Sequence, residues 1–369
     1  MAKKKSEFEL VQGDVQRAID KTNEKIEELG NKTALLYDRL NEIQAIFDLI
    51  RNIPGDNRIK YQELRKIRLN WKQQAEKIEK DFKDAMVKNT GVGAAGAGIG
   101  VAVAALGPSA AMGVATTFGV ASTGTAISTL SGAAATNAAL AWLGGGALAA
   151  GGGGMAAGEA LLALAGPIGW AISGAALLTS GLLIWKSNSE KKHIEAIFTS
   201  ISKRDLKSYK LAIVELNERI ERIIDESTRL KEAIDKTKTF GFDYYAMSES
   251  QQYELGAYVN LMNSSTQLLV NPIKGLQPKY TSEDFDTFMA SPTRKADIYT
   301  CMKYKNLLVS LANFLYKIYL IDRDKKLLWK YLRNNKELLE SLKISKEKFD
   351  MSIMDTVFEA LIHKYISLC

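Results

Sequence analysis

The sequence predicts an all-α protein: long coiled-coil helices forming a bundle, a Gly/Ala-rich hydrophobic segment set into it, and a smaller helical C-terminal domain. Three observations carry this. Apolar residues recur every seven positions in two separate stretches, and no stretch shows the alternation of a strand. Glycine and charge also occupy different parts of the 369-residue chain: 22 of the 28 glycines fall between Gly91 and Gly181, while Glu159 is the only charged side chain from Asn89 to Trp185. The chain divides accordingly into an N-terminal arm (1–88), the hydrophobic segment (89–186), a returning helix (187–240) and a C-terminal helical domain (241–369).

In the first arm one heptad series runs Ile19, Ile26, Thr33, Leu40, Phe47 and the other Leu29, Leu36, Ile43, Ile50. These are the a and d positions of a helix that packs lengthwise on another. Pro54-Gly55-Asp56 breaks the helix with a turn signal, and a second helix over about 57–88 is expected to run back antiparallel. After the hydrophobic segment the pattern resumes as Leu206, Ile213, Ile220, Ser227, Ile234 and Tyr209, Leu216, Ile223, Leu230, ending at Phe240-Gly241, where glycine can take a left-handed cap. Beyond it, Asn271-Pro272, Gln277-Pro278 and Ser291-Pro292 cut the chain into shorter pieces. Leu307 to Ile321 reads as a buried core helix, too short for a membrane span. The last helix carries Ile353, Met354, Val357, Phe358, Leu361, Ile362, Tyr365 and Ile366 on one face, which calls for a partner, most simply its own domain.

Two parts of the middle segment are long enough to cross a ~30 Å hydrocarbon core: Gly91 running past Pro108 towards Val120, and Leu161 to Trp185. The second ends in Trp185-Lys186, an aromatic anchor followed by a cation, as at a membrane interface. Gly93, Gly100 and Gly107 fall seven apart, as do Gly174 and Gly181, and Gly96 to Gly100 is a GxxxG; such faces let helix backbones approach in lipid. Leu161, Leu162 and Trp170 supply apolar bulk for anchoring. In water each glycine costs a helix about 1 kcal/mol relative to alanine, so the segment suits conditional insertion better than a permanent anchor. Lys80, Lys83 and Lys88 precede it and Lys186, Lys191 and Lys192 follow it, so both ends stay on one face and the crossings are even in number, two or four. Glu159 either lines a water-filled lumen or sits just outside the bilayer beside the Gly151–Gly154 run; the glycines favour the latter.

No enzyme chemistry emerges. Gly91-x-Gly93-x-x-Gly96 matches a dinucleotide fingerprint but follows a charged helix instead of a strand and lacks the acidic residue about 20 positions on. His193 and His363 stand without catalytic partners, and Cys301 and Cys369 are too few for a zinc site or disulfide framework. No cofactor or metal is expected. The net charge of +7 favours anionic partners. A nucleic-acid role would rest on Arg58, Lys60, Arg65, Lys66, Arg68 and Lys72, interleaved with Tyr61 and Trp71, but Glu63 interrupts the run and Leu64, Ile67 and Leu69 look like packing positions. A solvated helix face accounts for it better. A constitutive membrane tether with a cytoplasmic coiled coil is the other alternative. The start, Met1-Ala2-Lys3-Lys4-Lys5, runs into Ser6-Glu7-Phe8-Glu9 without the apolar run of a signal peptide, so synthesis in a cytoplasm is expected.

Over about Val15 to Ile234 the organisation resembles the α-helical pore-forming toxins of the cytolysin A and haemolysin BL type: long heptad helices flanking a hydrophobic hairpin. The glycine-rich stretch Ala141–Gly158 also looks like a cassette of uncharacterised bacterial proteins, some associated with defence against phage. The resemblance implies a pore-forming effector that shelters its hydrophobic segment until triggered, then inserts into a lipid bilayer as a homo-oligomer, with a regulatory protein partner as a further expectation. The membrane would be the cell's own inner membrane in the defence case, or that of a target cell for a released toxin. The toxin comparison has no counterpart for the region after Gly241.

Overall fold

The computed structural model describes residues 6–89, 108–118, 188–277, 279–334, 339 and 344–367, which are mostly helical and contain no strand, only an isolated bridge between Arg51 and Asp243. The fold class is all-α. Helix α1 (Glu7–Leu49) starts with a capping box: Ser6 accepts from the Glu9 amide at 3.2 Å and Glu9 accepts from the Ser6 amide at 2.8 Å. At 1.5 Å per residue α1 is about 65 Å long. From Ile26 onward its heptad positions are buried: Ile26, Leu29, Thr33, Leu36, Leu40, Ile43, Phe47 and Ile50. Asn52 turns the chain in the left-handed region (φ 62°), a conformation asparagine tolerates, and α2 (Gly55–Asn89) follows Pro54.

Helix α2 returns antiparallel to α1, meeting it through long side chains. Arg65 lies 3.5 Å from Asp48, Arg68 donates to Gln44 at 2.9 Å, and the rings of Tyr61 on Phe47 and Trp71 on Tyr37 sit 5.5 Å apart. Helix α3 (Pro108–Phe118) packs against both. Helix α4 (Asn188–Thr237) runs parallel to α1. Lys203 pairs with Glu7 at 2.5 Å and Lys238 with Glu42 at 3.0 Å, an offset of 196 residues in both cases. The register therefore holds along the whole pair. Because α2 is antiparallel to α1 and α4 is parallel to it, Asn89 and Asn188 both lie towards the end of the bundle where α1 begins.

Helix α4 is followed by Gly241 at φ +82°, the left-handed glycine expected after the helix. Helix α5 (Glu249–Val270) then packs antiparallel on α4, through Lys236–Glu254 (2.8 Å), Ser265 on Glu226 (2.6 Å) and Arg219 Nη1 on the Leu268 and Asn271 carbonyls (both 2.8 Å). Residues of α5 and of the 274–276 turn, which the sequence division places with the C-terminal domain, thus complete the core of the stalk. Gly275 seals this contact: a Cβ there would sit 2.8 Å from the Ala212 amide nitrogen.

The second core is built by α6 (Ser282–Ala290), α7 (Ile298–Lys303), α8 (Lys305–Leu315), α9 (Asp322–Asn334) and α10 (Met351–Ser367). It also takes Ile194, Ile197, Phe198 and Ile201 from the first turns of α4, and Phe8 from α1. The core helix expected over 307–321 stops at Leu315. Arg204 Nη1 takes the carbonyls of Phe314 (2.8 Å) and Tyr316 (2.7 Å), Lys317 turns left-handed (φ 56°), and Tyr319 and Ile321 are exposed. On α10, Ile353, Met354, Val357 and Leu361 are buried as the pattern requires, whereas Ile362 and Ile366 face out. Among the described residues, no helix is long and apolar enough to cross a membrane.

Candidate functional site: the cradle around α3

Helix α3 is the part of the Gly/Ala-rich segment that the structure describes. Pro108 occupies its first position, where the missing amide proton costs nothing. Residues 111–117 are buried without interruption, so the helix presents no outer face over two turns. An amphipathic surface helix buries one stripe; a helix buried all round is an internal element.

The cradle approaches at backbone distance. A Cβ built on Gly113 would run into the Ile26 carbonyl of α1 and come within 3.1 Å of the Gly30 amide nitrogen, so only glycine lets the two helix backbones meet here. Both threonines of α3 are hydrogen-bonded. Trp71 Nε1 on α2 donates to Thr116 Oγ1 (3.2 Å), and Thr117 Oγ1 donates to the Gly113 carbonyl (2.8 Å). The Thr117 carbonyl, at the open C-terminal end of the helix, accepts from the Ile273 amide (2.7 Å) and Gln277 Nε2 (3.4 Å). The seat thus draws on α1, α2, α5 and the turn after α5.

One turn from Trp71 on the same face of α2 lies Arg68, only 1% exposed. Its guanidinium meets neutral acceptors, Gln44 Oε1 at 2.9 Å and Thr266 Oγ1 at 3.5 Å, and its Nε is without a partner. Burial pulls its pKa down to about 10. Among the described residues it reaches no carboxylate at ion-pair distance; the nearby Asp48 is engaged by Arg65. A second buried charge marks the junction of the two cores. Asp205 is fully buried, shares its Oδ1 with Arg204 (2.7 Å), and has no partner for Oδ2. Burial raises its pKa to about 6 against the opposing pull of Arg204 and Lys279.

The membrane-inserting residues expected from the sequence, Gly93, Gly96, Gly100, Gly107, Leu161, Leu162, Trp170, Gly174, Gly181 and Trp185, lie outside the described residues, as do Glu159 and Lys186. Of the flanking cations, Lys80 is exposed on α2 and Lys192 on α4, while Lys191 lies 3.8 Å from Glu195; Lys83 and Lys88 fall on the last turns of α2. The basic run of α2 is divided: Arg58, Lys60, Arg65 and Lys66 are exposed, but Arg68 is buried, which corrects its reading as part of a solvated face. Tyr61 and Trp71 are buried too, so neither offers a ring on which a base could stack. His193 Nδ1 lies 3.5 Å from Asp324, and the His363 ring packs on Phe288. Among the described residues no cluster of His, Cys, Asp or Glu is placed to hold a metal. Sequence reasoning missed Asp205 altogether and took Arg68 only as one cation of a solvated face. It took in α3 only as part of a longer span, although Pro108 before Ser109-Ala110-Ala111 was a start signal in plain view. No family model matches the chain, and no curated protein or solved structure matches it.

Proposed function

We propose that the protein is a membrane-disrupting, pore-forming effector that shelters its Gly/Ala-rich segment in a helical bundle and releases it into a lipid bilayer, where protomers associate. The observation that carries this reading is α3. A piece of a segment with one charge in 97 residues, from Asn89 to Trp185, is enclosed by the heptad helices and held there by small residues and a handful of hydrogen bonds. Alanine and glycine bury little apolar surface at roughly 25 cal/mol per Å², so the enclosure is close but not strongly adhesive. In the released form Gly93, Gly96, Gly100 and Gly107 are the close-packing positions and Leu161 to Trp185 the anchor, with the flanking lysines at anionic headgroups. The action is from the cytoplasm on the inner membrane, under the control of a protein partner or another trigger; a released toxin acting on a target cell would use the same device.

Dye release from liposomes tests this. The full-length chain is expected to empty anionic vesicles faster than neutral ones, and a chain lacking 91–185 to empty neither. Gly100→Leu is expected to abolish release while leaving the helical circular dichroism of the bundle unchanged. Leakage that survives leucine at Gly93, Gly100 and Gly107 together removes close packing from the mechanism. Protein recovered only in detergent, with no leakage, means a constitutive tether instead.

A further inference from the structure

We propose that Arg68 is a built-in release element for α3: a permanently charged group kept in the wall of the cradle that makes the resting packing metastable. This rests on the reading of α3 as a sheltered segment, and it names what readies the segment to leave.

A guanidinium carries five N–H donors and a full charge, and burying it is favourable only where a carboxylate and a complete set of acceptors compensate. Arg68 has neither: its acceptors are one amide oxygen at 2.9 Å and one hydroxyl at 3.5 Å, Nε has none, and Asp48 is taken by Arg65. Elsewhere the same bundle shows how it satisfies an arginine. Arg219 and Arg204 each place a guanidinium nitrogen on two backbone carbonyls, and Arg204 adds a carboxylate. Of these three arginines Arg68 alone has neither a carboxylate nor a backbone carbonyl, and it stands on α2 between α1 and α5, one turn from the indole that holds Thr116. The wall that retains α3 is thus the wall that gains from moving, because any displacement of α2 that lets water reach Arg68 also withdraws Trp71 from Thr116. Methionine at position 68 would fill the same space with no charge to hydrate.

The test is hydrogen exchange of the α3 amides in the full-length chain, read alongside thermal unfolding. Arg68→Met is expected to slow exchange across 108–118 at least tenfold and to raise Tm by about 2–4 °C or more. Arg68→Lys, which keeps the charge and loses the fork, is expected to exchange at least as fast as the parent. A methionine variant that melts lower or exchanges faster makes Arg68 a structural bolt and overturns the proposal; so do methionine and lysine variants that behave alike. Dye release is measured on the same samples. Slower α3 exchange with unchanged leakage would leave the release element standing and remove the pore reading, whereas slower exchange with slower leakage supports both.

Discussion

An aspartate in water titrates near 3.8; Asp205 is raised to about 6 because burial disfavours its charged form more than Arg204 and Lys279 favour it. A raised pKa means that the folded state binds the proton more tightly than the unfolded chain. The stability this group contributes is therefore fully present below pH 3.8 and is lost as pH climbs through about 6. Roughly two pH units correspond to about 3 kcal/mol. Denaturant unfolding across pH 4 to 8 is expected to show the parent losing about that much relative to Asp205→Asn, with the two chains parallel above about pH 7. An asparagine variant with the same pH profile as the parent would place the titration elsewhere. Neither Asp205 nor Arg68 was legible from sequence. Each sits in a charged helical stretch whose neighbours are solvated, and what buries them comes from far along the chain: Thr266 is 198 residues from Arg68, and Phe314 is 110 from Arg204. The heptad residues were legible because their partner is implied by the period itself.

Among the elements, α3 depends on the absence of a side chain at Gly113. Gly113→Leu would force α3 away from the Ile26 carbonyl, and overpacking of this kind costs about 1–3 kcal/mol. Thermal unfolding should register the loss directly. If α3 is a sheltered segment, the same variant releases dye from anionic vesicles faster than the parent; if α3 is only core, it unfolds earlier and releases none. The breaks at Pro54-Gly55 and at Gly241 were predictable to within a few residues because they are local chemistry, whereas the capping box at Ser6 starts α1 well before the first heptad residue the pattern offered. Helix α5 was not seen as part of the stalk. Its buried Leu255, Met262 and Leu269 do fall seven apart, but Val259 is followed in its own series by Thr266, and Ser264 and Ser265 carry polar contacts to Glu226, so the stripe is short and broken.

At the scale of the molecule, the two cores share one uninterrupted helix. The second core is completed by Ile194, Ile197, Phe198 and Ile201 of α4, with Phe198 against Phe314 and Tyr331 at 5.9 and 5.5 Å between ring centroids. A fragment beginning at Gly241 would leave those rings against water, so residues 241–369 expressed alone are expected to lack the sharp thermal transition of the full chain. Restoring residues 188–210 in trans should recover it. Cooperative melting of the isolated fragment would show that the second core is self-sufficient. The sequence division at Gly241 follows a real helix end, but the end of a helix is a local event and the edge of a core is a matter of distant contacts. The parallel pairing of α1 and α4 has a topological consequence as well. Chain direction reverses along α2 and again before α4, so the excursion between Asn89 and Asn188 leaves and re-enters at the same pole of the stalk. A surface that meets that pole therefore meets both ends of the stretch at once, from one side.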